Sequence, residues 1–220
     1  MAELNLEQAR FNMIEQQVRT WEVLDQRVLD TMSAVPRERF VPEQVRNLAF
    51  ADLQLPIGHG QVMMEPKLEG RLLQALDLRP TDSVLEVGTG TGYVTACLAK
   101  LAGRVVTVER HPGLSQAAQE RVRSLGIGNV TFRIGDAAEG WDQDGRFDAI
   151  AITGSLPEVP LAYKRQLNVG GRLFVVVGGP PVMEAMLVIR VGEAEWSHES
   201  LFDTDLPLLE GAVRPQPFVF

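Results

Sequence analysis

The sequence predicts a doubly wound α/β fold, in which a mostly parallel sheet carries helices on both faces and is preceded by an N-terminal helical cap. Three observations carry this prediction. From Ser83 onward, short apolar runs alternate with helical stretches, the pattern of parallel strands joined by right-handed crossovers. One strand-to-helix joint, Val87 to Tyr93, is rich in glycine. Residues 5 to about 50 instead place apolar side chains at three- and four-residue steps, the helical period.

In the cap, Phe11, Ile14 and Val18, then Val23, Leu24, Val28, Leu29 and Met32 form the apolar positions. The helix should end at Val35, because Pro36 disfavours helical backbone in the residue before it. Leu55-Pro56-Ile57-Gly58-His59-Gly60 reads as a loop. Pro66 can open a helix through Leu68, Leu72, Leu73 and Leu76, since a proline in the first turn sacrifices no helical hydrogen bond. Six strands are then expected over Ser83–Val87, Arg104–Glu109, Val130–Ile134, Phe147–Ile152, Gly171–Val177 and Ala185–Val191, with helices starting near Tyr93, Leu114 and Leu161. The tail is less periodic and should hold at most one edge strand, near Glu199–Asp203, with Phe218-Val219-Phe220 packing within the monomer.

A chain of 220 residues with 45% hydrophobic residues can fill one substantial core. We expect one domain, with the cap and a substrate loop in residues 1–76 and a cofactor-binding core with the C-terminal strands in 77–220. The net charge of −8 disfavours a surface built to neutralise phosphates, so no nucleic-acid partner is expected. Cys97 is the only cysteine and the three histidines are far apart, which argues against an intrachain disulfide and a zinc site. The first residues are charged, and no run approaches 18 apolar residues. A cytoplasmic protein with no metal and no membrane partner is the expectation.

The glycine-rich stretch is Val84-Leu85-Glu86-Val87-Gly88-Thr89-Gly90-Thr91-Gly92-Tyr93. Without Cβ atoms at Gly88 and Gly90, the backbone can approach a nucleotide-like ligand closely. A dinucleotide fold wants G-x-G-x-x-G, whose third glycine would fall at Tyr93. Glu86 would also repel a diphosphate, whereas it suits a cationic, amino-bearing ligand such as a sulfonium amino acid joined to adenosine. Glu109 closes the next strand, where a carboxylate accepts from ribose hydroxyls, and Asp136 follows the third strand, placed to meet an adenine amino group. The three carboxylates are expected to converge at the strand ends. The cofactor-binding set is therefore Glu86, Gly88, Thr89, Gly90, Gly92, Glu109, Arg110, Asp136 and Ala137.

These residues resemble the Rossmann-like class I methyltransferases. Met13-Ile14 with Gln17-Val18, the run Val35 to Pro42, Leu55 to Gln61, Phe147-Asp148-Ala149-Ile150 and Pro157-Glu158-Val159-Pro160 are similar to the protein-L-isoaspartate O-methyltransferases, in order over roughly residues 10 to 210. The resemblance implies methyl transfer from S-adenosylmethionine, leaving S-adenosylhomocysteine, to the free carboxylate of L-isoaspartyl residues in damaged proteins or peptides. The protein would be a monomer or homodimer. A carboxylate is already ionised at neutral pH, so such chemistry needs alignment more than acid–base help.

The resemblance also exposes a departure. The family's loop after Gly-Gln reads Thr-x-Ser, with the serine as the active-site hydroxyl, but here Val62 stands at the threonine position and Met64 at the serine position. No catalytic residue is assigned. The expected substrate-binding set is His59, Gln61, Val62 and Met64 from this loop, with Thr153 and Ser155 supplying hydroxyls from the segment after the fourth strand. Glu65 either burdens an anionic substrate or points away as a first-turn helix acid. Two readings stand beside the family function: a methyltransferase of another acceptor, small molecule or peptide, and a cofactor-binding protein with little isoaspartyl activity. The glycine spacing and Glu86 disfavour a nicotinamide oxidoreductase.

Overall fold

The computed structural model describes residues 5–180 and 182–212, so the reading of Phe218-Val219-Phe220 lies outside the described residues. The cap opens with α1 (Leu6–Met13), N-capped by the Asn5 side chain, which accepts from the Gln8 amide. It runs on into a π-helical turn over Ile14–Val18. That wider turn brings Val18 onto the face of Met13 and Ile14, all three buried, and leaves Phe11 exposed, against expectation. Leu24, expected on the same apolar stripe, is also exposed, because it lies in the linker before α2 (Gln26–Ala34) rather than in a helix. Asp25 caps α2, and the helix stops before Val35-Pro36 as the proline requires.

The segment expected as a loop is a hairpin. Its strands β1 (Leu55–Gly58) and β2 (Gln61–Met63) pair antiparallel, Leu55 opposite Met63 and Pro56 opposite Val62. Proline is tolerated because the pair forms its own two-stranded sheet, where each strand is an edge. Helix α3 (Pro66–Leu76) then buries Leu68, Leu72, Leu73 and Leu76.

The main sheet comprises β3 (Ser83–Val87), β4 (Arg104–Glu109), β5 (Val130–Ile134), β6 (Phe147–Leu156), β7 (Leu167–Gly179), β8 (Val182–Arg190) and β9 (Trp196–Thr204), in the order β5-β4-β3-β6-β7-β8-β9. Helices α4 (Tyr93–Leu101), α5 (Pro112–Ser124) and α6 (Leu161–Gln166) carry the β3–β4, β4–β5 and β6–β7 crossovers, while the β5–β6 connection has no helix. The first five strands of that order are parallel; β8 runs antiparallel to β7, and β9 antiparallel to β8, so β8 alone is reversed. Only residues 180 and 181 separate β7 from β8, a connection that can close a hairpin but not a crossover.

Successive strand residues face opposite sides. Val84, Val105, Ala149 and Phe174 join the apolar layer that includes the cap, while Leu85, Val106, Ile150 and Val175 pack on the other face with Trp141 and Tyr163. The chain starts at β3, moves outward to β4 and β5, then returns to β6 on the other side of β3. The sheet therefore changes direction beside β3, and a crevice opens at the carboxyl ends of its neighbours. Among the described residues, no helix is long and apolar enough to cross a membrane.

Candidate active site

At that crevice lies an open cleft whose walls include Gly88, Gly90, Glu109, Arg110, Asp136 and Ala137. Ile57, Gln61 and Val62 of the hairpin form part of its wall, and Leu209 and Glu210 of the C-terminal segment another. The turn after β3 follows from its glycines. Gly88, Gly90 and Gly92 all have positive φ (92°, 53° and 89°), and a Cβ on Gly88 would stand 2.5 Å from the Thr153 hydroxyl.

Glu109 is buried at the end of β4, and its two oxygens accept from the Gly90 amide at 2.9 Å and the His111 amide at 3.0 Å. It thus ties the glycine turn to the start of α5. Asp136 is half-exposed, accepts from the Ala138 amide at 3.0 Å and pairs with Arg110 at 2.5 Å. Arg110 also meets Glu210 at 3.3 Å. The cleft's arginine is therefore engaged by two carboxylates, an arrangement hostile to a pyrophosphate and compatible with a neutral or cationic nucleoside.

The third expected carboxylate is placed differently. Glu86 alternates onto the face of Val84, beneath α4, where its Oε2 accepts from Thr95 at 2.5 Å and Thr107 at 2.6 Å. It is fully buried, and Oε1 has no partner. Burial raises the carboxyl to about 8, with nearby Glu109 adding to the shift and the two threonines opposing it. At neutral pH Glu86 is mainly protonated, so it does not present the anion expected for a sulfonium. Glu86 faces a second, smaller cavity, shared with Met63, Met64, Glu69, Thr89, Tyr93 and Thr153. Thr89 is buried there, its hydroxyl 2.6 Å from that of Thr107. Gly92 lines neither cavity; it is the N-cap of α4, and a Cβ there would stand 3.0 Å from that of Ala118.

The substrate-loop residues also divide. Gln61 and Val62 reach the cleft, while Met64 is buried against the smaller cavity with its carbonyl held by Arg37 at 2.8 Å. Glu65 occupies the N-cap position of α3 without a side-chain capping bond and lines neither cavity. His59 sits exposed at the hairpin tip, outside the cleft lining, with its ring stacked on His111. Thr153 lines both cavities and donates towards the carbonyls of Val87 and Gly88 at 2.9 and 2.6 Å. Ser155 is fully buried and donates to the Leu206 carbonyl at 2.8 Å, so its hydroxyl secures the C-terminal segment instead of facing a ligand.

Sequence reasoning missed that segment. Leu209 and Glu210 reach the cleft because the Ser155 amide donates to Pro207 and the Leu209 amide donates to Ser155, each at 2.9 Å. The tail has no periodicity that could have announced this. Arg37 was missed as well. It is fully buried, ion-paired with Glu69, and donates to the carbonyls of Ala49 and Met64.

Comparison with known proteins is consistent with this architecture. The family model for protein-L-isoaspartate(D-aspartate) O-methyltransferase matches residues 8–202. The chain is 41% identical to a protein-L-isoaspartate O-methyltransferase of Rhodopseudomonas palustris, covering 93% of this chain and 96% of that one. It is 43% identical to one of Magnetococcus marinus, over 80% and 78%. A Plasmodium falciparum structure described as such an enzyme in complex with S-adenosyl-L-homocysteine shares the fold, with a TM-score of 0.78 at 22% identity over 94% of this chain and 99% of that one.

Proposed function

The chain belongs to the protein-L-isoaspartate(D-aspartate) O-methyltransferase family, and we propose that it transfers the methyl group of S-adenosylmethionine to the free carboxylate of L-isoaspartyl residues in damaged proteins, a repair reaction. One observation carries the reading: the cleft at the switch in strand order pairs carboxylates at the ends of β4 and β5 with a glycine turn, while its arginine is already engaged. That donor set fits an adenosyl sulfonium. Glu109 and Asp136 offer acceptors for ribose hydroxyls and an adenine amino group, and Ile57, Val108 and Leu114 offer apolar surface to the base.

S-adenosylmethionine supplies, when bound, a methyl carbon activated by a good leaving group. The chain's own task is to hold the acceptor carboxylate in line with that carbon, since alignment is the main resource in a displacement by a preformed anion. The backbone of residues 61–64 is best placed to orient the acceptor, with Thr153, which lines both cavities, held beside it by its bonds to the Val87 and Gly88 carbonyls. The Met64 thioether cannot donate a hydrogen bond, so this chain lacks the hydroxyl that the family motif places there. A cytoplasmic location accords with the free, buried Cys97. The whole chain acts as one catalytic domain, residues 1–76 carrying the acceptor loop.

The test is methyl-ester formation on an L-isoaspartyl peptide against its normal aspartyl counterpart. Transfer to the first and not the second is expected. Failure on both, with S-adenosylhomocysteine still bound, would move the acceptor to another class, in keeping with the apolar Val62, Met63 and Met64.

A further inference from the structure

We infer that His59 is a positioning residue, which clamps the β1–β2 hairpin over the cofactor cleft by stacking on His111. The inference rests on the cofactor reading above. The rings lie 4.0 Å apart between centroids and 14° from parallel. His59 adopts a left-handed backbone (φ 54°) between Gly58 (φ 96°) and Gly60 (φ 70°). A residue with a Cβ is disfavoured in that conformation, and glycine would relieve it.

Nothing in the packing around the tip calls for bulk. A Cβ on Gly58 or Gly60 would meet no atom within 4 Å, so the tip stands in open space. A strained histidine at an open tip therefore needs its stack on His111 as the reason for being there. His111 is itself firmly held. Its amide donates to Glu109, and its Nε2 lies 2.9 Å from Glu210 Oε2. His111 also lines the cleft, as do Ile57, Gln61 and Val62 on either side of the tip. The stack thus fixes one wall of the cleft through a residue that does not touch its interior.

Calorimetric binding of S-adenosylhomocysteine to the native protein and to H59A, H59G and H59F, with methyl-transfer kinetics beside it, tests the clamp. An aromatic pair of this geometry corresponds to about a two- to tenfold change in affinity. H59A and H59G should weaken binding by that factor, with the loss falling on the cofactor KM rather than on kcat, and H59F should restore it. H59G should also unfold at no lower urea concentration than the native protein, because it relieves the backbone while removing the clamp; a purely structural role would lower both together. Native affinity in H59A and H59G, or no rescue by H59F, would overturn the clamp. Absence of binding by the native protein would overturn the cofactor reading, and the clamp with it.

Discussion

Thr107 donates a 2.6 Å hydrogen bond to Glu86, reaching from the neighbouring strand to a carboxyl that no solvent touches. Thr95 bonds the same oxygen at 2.5 Å, so both hydroxyls crowd Oε2 while Oε1 has no partner.

This arrangement makes stability depend on pH. Burial raises the folded-state carboxyl to about 8 from an ordinary value near 4.5, so between those limits the folded protein holds a proton that the unfolded chain has released. The contribution of Glu86 is complete below the unfolded value and is lost as pH rises through the folded one. The urea midpoint should fall from pH 5 to pH 8 in the native protein. In E86Q, which keeps the neutral donor–acceptor pattern, that slope should flatten; an unchanged slope would show that Glu86 is ionised throughout.

Arg37 and Glu69 form an ion pair sealed from water. Replacing one partner strands the other, at about 3–5 kcal/mol. R37M should lose stability of that order in denaturant titration. It should also loosen the segment that follows β2, because Arg37 holds the carbonyl of Met64; if that segment meets the acceptor as proposed, the peptide KM should rise in whatever protein remains folded.

Met64 is buried, at the position where the family resemblance implies a serine hydroxyl. A hydrogen bond to a charged group is worth roughly 1.5–3 kcal/mol, about ten- to hundredfold in rate when made only in the transition state. M64S should accelerate transfer to an isoaspartyl peptide by that order while losing about 2–5 kcal/mol of stability to the cavity left behind. A folded M64S enzyme no faster than native would mean the hydroxyl has no role in this chain.

Gly88 combines a positive φ with a Cβ position 2.5 Å from the Thr153 hydroxyl. G88A should therefore abolish S-adenosylhomocysteine binding. Gly126 has a similar φ of 72° but open space around it, so G126A should show only backbone strain, about 1–2 kcal/mol, with binding intact. Equal losses in the two variants would mean that general strain, not the shape of the turn, controls the site.

Local pattern determined much of this protein by itself. The strands Ser83–Val87, Arg104–Glu109 and Val130–Ile134 match those seen to the residue, because alternation and turn residues act over a few positions. The glycine turn and the carboxylates at the ends of β4 and β5 were legible for the same reason. Tertiary structure alone decided which way a side chain faces and what distant chain arrives beside it. Alternation along β3 sends Glu86 under α4 and away from the cleft where Glu109 and Asp136 stand. The pairing of β1 with β2, the burial of Arg37 against Glu69 and the return of Glu210 to His111 join segments that no local periodicity connects, so their energies exist only once the chain has closed on itself.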